Sequence, residues 1–179
     1  AKRLVPYGGH PGWFGDESQS GGVLLDVGVH DVDYLRWVLG DVERVFTRLT
    51  RWGDGAHKSG LTVLRFESGA VAHVEASWLN MPDQPFTTSF EFAGDDGIVE
   101  FESRDATGIE VWGRDGHRAP TDPFAVPLAE DGYRRQLRHF LDCRASGEEP
   151  LVGAEEGRAS LRVALATMES AERGAPVEV

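Results

Sequence analysis

The sequence predicts an α+β domain, built on one open, mixed but predominantly antiparallel sheet with helices packed on a single face. Three observations predict it. A helical pattern near the start is followed by six segments of period-two, β-branched and aromatic character, and two further helical patterns close the chain. Short turn sequences join the strand segments, and tight connections pair neighbours antiparallel. The strand-helix-strand alternation that builds a parallel doubly wound sheet is missing. With 179 residues, the chain is long enough for one good core, so 1–179 reads as a single domain.

Taken in order, residues 5–21 are dense in Gly, Pro, Asp and Ser and read as a loop, anchored by Trp13 and Phe14. The first helix is expected over 22–39, where Leu24, Leu25, Val32, Leu35 and Leu39 fall on one broad stripe, with Gly40-Asp41 as its stop. Strands are expected at 42–52, 61–67, 70–79, 87–93, 98–102 and 109–112. Turns at 67–69, 94–97 and 114–116 connect or follow them. Pro120, Pro123 and Pro127 interrupt the pattern before a helix over 129–145, whose Tyr133, Leu137, Phe140 and Leu141 share a face. The last helix spans 154–173, with Glu155 and Glu156 in its first turn and Leu161, Leu165 and Met168 inward. The tail 176–179 reads as a short edge strand.

Hydrophobic residues make up 40% of the chain and charged ones 27%, a globular composition. The net charge is -12, from 30 acidic and 18 basic residues, which argues against nucleic acid as a partner. No apolar run reaches the ~20 residues of a membrane span. A lone cysteine, Cys143, makes no internal disulfide and fits a reducing cytoplasm. The chain opens without methionine at Ala1 and is expected to be a piece of a longer polypeptide. No Gly-x-Gly-x-x-Gly loop follows a strand, so no dinucleotide pyrophosphate is expected to be held here in the usual way.

Asp26, His30 and Asp33 stand at i, i+4 and i+7. At 100° per residue they form one stripe within about 60° of arc, nearly opposite the leucines. The bland reading is the wet side of an amphipathic helix. Wet faces normally carry Glu, Lys, Gln and Arg, however, whereas this segment uses Asp, His, Gly28 and several valines, all poorer helix formers. An imidazole between two carboxylates suits proton transfer, because imidazole titrates near neutrality and a carboxylate can orient the ring. The same trio could instead bind a divalent cation.

The run from Ser20 to Asp33, SGGVLLDVGVHDVD, resembles the signature of the glucose-fructose oxidoreductase, inositol dehydrogenase and MocA family (Gfo/Idh/MocA). Trp37-Val38-Leu39-Gly40-Asp41-Val42, Gly69, Ser77-Trp78 and the closing segments from Tyr133 to Ala171 are similar to that family as well. Ser20 departs from a further glycine common in relatives. The resemblance covers nearly the whole chain and implies a dihydrodipicolinate-reductase-like C-terminal domain. It further implies a missing N-terminal Rossmann domain that binds NAD or NADP, so no cofactor is expected in this fragment alone. By position it implies that His30 is acid/base on a hydroxyl of a sugar or polyol substrate, with Asp26 orienting that hydroxyl. Asp33 would support the site or touch substrate, and Trp13 and His10 would lie beside the sugar ring in the glycine-rich loop.

The remaining histidines, His57, His73, His117 and His139, show no ligand spacing and read as structural or exposed, and Trp52, Trp78 and Trp112 read as core or cross-strand partners. Helices on one face leave the other open, and Val63, Phe66, Val71, Val74 and Phe92 must face something. A second subunit is the expected cover, giving a homo-oligomer. The competing reading is a noncatalytic assembly or carbohydrate-binding module.

Overall fold

A computed structural model describes residues 1–6, 13, 16–51, 57–80, 84–104, 109–118 and 132–179. The strands are β1 (Lys2–Pro6), β2 (Val42–Arg51), β3 (His57–Phe66), β4 (Val71–Asn80), β5 (Thr87–Gly94), β6 (Gly97–Glu102), β7 (Ile109–Gly113), β8 (Gly116–Arg118) and β9 (Val177–Glu178). The helices are α1 (Glu17–Ser20), α2 (Val29–Leu39), α3 (Gly132–Ser146) and α4 (Ala154–Arg173), and a π turn, Leu24–Gly28, leads directly into α2. The strands form one sheet in the order β8-β7-β6-β5-β1-β4-β3-β2-β9. Every pairing in it is antiparallel except β1 with β4. The mixed α+β architecture is therefore the predicted one, and Trp52 lies outside the described residues.

β1 is absent from the predicted set, and its last two residues, Val5 and Pro6, fall where the loop 5–21 was expected. Its five residues sit in the middle of the sheet, Lys2 opposite Glu75 of β4 and Ser89 of β5. With only Leu4 and Val5 as apolar residues ahead of a proline, its own pattern is too short to register as a strand. The sheet supplies the neighbours that make it one. The short strand β8 was likewise absent from the predicted set, whereas β9 does sit at the sheet edge against β2.

The core lies between the sheet and the π turn, α2 and α4. Val32 and Leu35 of α2 meet Val45, Leu64, Phe66 and Val74 of the sheet and Val163 and Ala166 of α4. A second cluster joins Val23, Leu24 and Val27 to Ala76 and Trp78. Leu161 and Leu165, expected inward, are 43% and 49% exposed; α4 instead buries Ser160, Val163, Ala164, Ala166, Thr167 and Ser170. Small side chains let its axis approach β2 closely, as Ser170 shows by accepting the backbone N–H of Thr47 at 3.0 Å. The expected apolar face of α3 is exposed throughout, Tyr133 to 76%.

Leu61, Val63 and Val71 share the face of the sheet opposite α2 and α4 and are 51%, 41% and 68% exposed. Phe66 and Val74, predicted to need an external cover, are buried under the helices, and Phe92 contacts Tyr34 of α2. Among the described residues no helix is long and apolar enough to cross a membrane.

Candidate functional site

The helical entry is built by glycines. Asp16 caps α1, accepting from the Ser18 backbone and from the Ser18 and Gln19 side chains. Those bonds hold its carboxyl below the usual range. Gly21, at φ 76°, then closes that turn in a left-handed conformation that L side chains disfavour. Helical backbone follows over 22–39. Its π turn docks where β3 carries Gly60: a Cβ there would lie 2.5 Å from Leu24 Cδ2.

Asp26 sits in the π turn, half-buried and engaged in an interaction of its own. His30 lies in the first turn of α2 and is exposed. The i→i+5 winding between them is a feature that recurs at functional sites, and it breaks the 100° progression on which the α-helical stripe was drawn. Asp33 also departs from that stripe. Rather than pointing away from the packing, it accepts a hydrogen bond from Ser160 of α4 at 2.6 Å. Arg36 donates to the same Ser160 hydroxyl at 2.9 Å and pairs with Asp41 at 2.8 Å and Glu156 at 3.6 Å. Thus the structure sets Asp33 into the α2–α4 seam, whereas His30 faces solvent.

Trp13 is exposed, with its carbonyl accepting from the Asp16 N–H at 3.2 Å. His10 lies outside the described residues. Among the described residues no three His, Cys, Asp or Glu side chains gather into a group that could hold a metal ion.

Asp31 is not among the residues that the sequence pattern singles out. It is 3% exposed, on the packed face of α2, and Arg3 of β1 grips it with two hydrogen bonds: Nη2 to Oδ1 at 2.9 Å and Nε to Oδ2 at 3.2 Å. A signal was there: Asp31 lies seven residues after Leu24 and four before Leu35, which puts a carboxylate on the apolar stripe. A carboxylate so placed needs a cation.

Beside the helix, Tyr34 packs on Phe90 and Phe92 at 5.4 and 5.8 Å between ring centroids, and burial raises its hydroxyl's pKa. A cavity of about 730 Å³ opens where β1 begins between β4 and β5, lined by Lys2, His73, Glu91, Glu100 and Glu110 among others. Asp26, His30 and Asp33 do not line it.

Residues 2–100 match the family model for the GFO/IDH/MocA C-terminal domain. The chain belongs to the Gfo/Idh/MocA family. It is 33% identical over 169 residues to D-xylose 1-dehydrogenase (NADP(+)) 2 of Haloferax volcanii, covering 92% of this chain and 50% of that protein. It is 28% identical over 168 residues to myo-inositol 2-dehydrogenase of Thermotoga maritima, covering 89% and 50%. Levoglucosan dehydrogenase in complex with NADH and L-sorbose superposes with a TM-score of 0.84 at 23% identity, over 99% of this chain and 57% of that one. The Gfo/Idh/MocA chain described here thus spans about half the length of the curated relatives it matches.

Proposed function

We propose that this chain is the substrate-side, catalytic-helix half of an NAD(P)-dependent oxidoreductase acting on a sugar, polyol or related hydroxy compound. The observation that carries the reading is the glycine-led helix of a Gfo/Idh/MocA domain, with half-buried Asp26 in its π turn and exposed His30 one turn later. The xylose and inositol dehydrogenases among its relatives support the substrate class.

His30 takes the proton from the substrate hydroxyl, and Asp26 orients that hydroxyl by accepting or polarising its hydrogen bond. Asp33 supports the site from the α4 seam, and Trp13 and His10, which precede α1 in the sequence, flank the substrate. The sequence contains no Gly-x-Gly-x-x-Gly run, so a dinucleotide would be held mainly by polypeptide beyond it. When bound, the nicotinamide supplies the hydride acceptor. The chain by itself is expected to be inactive. Its lone Cys143 suits the cytoplasm, and the apolar patch of Leu61, Val63 and Val71 suits a second copy packed on the open face.

The test is His30→Ala in the complete polypeptide. Loss of a general base costs about 100- to 10,000-fold in turnover, with dinucleotide affinity kept; turnover equal to the parent would remove His30 from the chemistry.

A further inference from the structure

We infer that the Arg3–Asp31 pair is a positioning device, which fixes how α2 is rotated on the sheet and thereby where His30 points. The inference rests on the reading of His30 as the proton carrier.

Asp31 immediately follows His30 in α2, and one residue of helix is about 100° of rotation. Whatever fixes the direction of Asp31 therefore fixes that of His30. Arg3 fixes it through two parallel hydrogen bonds, at 2.9 and 3.2 Å, a fork that constrains the plane of the carboxylate as well as its distance. The fork stands on firm ground. Arg3 belongs to β1, flanked in the sheet by β4 and β5, and its guanidinium lies 5.7 Å from the centroid of the Phe86 ring.

Stability alone gives no reason for the pair. Position 31 is surrounded along the helix by the buried Val27, Val32 and Leu35, and a leucine there would continue the core. A buried ion pair is often no more stabilising than apolar residues of similar volume, and its best attested use is to fix register. On the far side of the helix, Asp33 is tied to Ser160 and Arg36 to Ser160 and Asp41, so α2 is held from the sheet and from α4 at once. Asp26, five residues before Asp31, enters the same frame through the π turn.

The experiment uses the complete polypeptide and replaces both partners with apolar residues, Arg3→Met with Asp31→Leu. The expected result is a thermal midpoint at or above the parent's, with kcat lowered about 100-fold. That is the scale of loss when a reacting group is misplaced by about 1 Å. KM and dinucleotide affinity should stay at parental values. A purely structural pair would give the opposite split, a lower midpoint with unchanged kcat in the folded fraction. Arg3→Lys is the second variant: it keeps the charge but loses the fork, and should fold while recovering little of the lost turnover. Either variant, folded and within twofold of parental kcat, overturns the inference. His30→Ala, assayed alongside, separates this failure from that of the underlying reading: if it alone abolishes turnover, the acid/base role stands and the positioning role falls.

Discussion

The hydroxyl of Ser160 donates to Asp33 across 2.6 Å while accepting from Arg36 at 2.9 Å, so one small side chain of α4 bridges a carboxylate and a guanidinium of α2. Ser160 is itself buried. Ser160→Ala fits the space without overpacking and removes only the bridge, which leaves the half-buried Asp33 without this donor. A loss of about 1–3 kcal/mol in unfolding free energy is expected, measured by urea denaturation at neutral pH. A change below the error of that measurement would show that water replaces the hydroxyl.

The seat of the π turn is the next weak point. Gly60 leaves room in β3 for Leu24, and a Cβ there would approach Leu24 Cδ2 to 2.5 Å and Leu49 Cδ2 to 2.9 Å. Gly60→Val adds bulk into that contact, and overpacking of this kind typically costs about 1–3 kcal/mol. Because Leu24 opens the turn that carries Asp26, the proposed function requires turnover of the complete polypeptide to fall by more than the folded fraction does. Thermal denaturation and steady-state kinetics on the same samples would separate the two effects.

The legibility of the molecule follows from where its signals are local. α4 was predicted at its observed bounds, because a first turn with Glu155 and Glu156 and the apolar periodicity that follows are local signals; Gly174 closes it in the structure. β2 and β4 to β7 were readable to within a residue from alternation and turns, whereas β3 begins at His57, ahead of the expected 61. β1 was not, since its strand character comes from β4 and β5, many residues away. Asp26 and His30 were legible in the sequence only as candidates, from spacing and from resemblance. The π winding was not, nor was the turn of Asp33 into the seam, because Ser160 lies 127 residues downstream. Leu161 and Leu165 were read inward because periodicity marks an apolar stripe without saying which of two neighbouring stripes the sheet will meet; the small residues of α4 won, since they admit the closer approach.

The sheet face opposite α2 and α4 bears on assembly. Leu61, Val63 and Val71 are exposed side by side on the central strands, with Val71 68% exposed. Val63→Lys with Val71→Lys places two charges in that patch without touching the core. If a second copy covers this face, the double variant should sediment as a smaller species than the parent at equal concentration, with an unchanged circular dichroism spectrum. Identical sedimentation would move the interface elsewhere.

The last prediction concerns pH. Glu91, Glu100 and Glu110 are cross-strand partners in β5, β6 and β7, which places three carboxyl groups in a row. The pKa of Glu100 is raised, first by partial withdrawal from water, then by a hydrogen bond to Glu91 and by the negative charges of Glu91 and Glu110. A raised carboxyl binds its proton more tightly in the folded chain than in the unfolded one. Its contribution to stability is therefore fully present below the ordinary glutamate range and is lost as pH climbs through the raised value. Above that, ionised Glu100 opposes its two neighbours, since like charges directly opposite on paired strands are destabilising. Glu100→Gln keeps the size and a hydrogen-bond donor for Glu91 while removing the charge. The variant should melt at a higher temperature than the parent at pH 7, and the difference should shrink toward zero near pH 4, where the parent's own carboxyl is protonated. Asp16, whose carboxyl is held below its usual range, is the same in both proteins, so its acid-induced loss cancels in the comparison. A thermal midpoint for Glu100→Gln that stays equal to the parent's from pH 4 to pH 7 would show that the three carboxylates are too well hydrated to oppose one another.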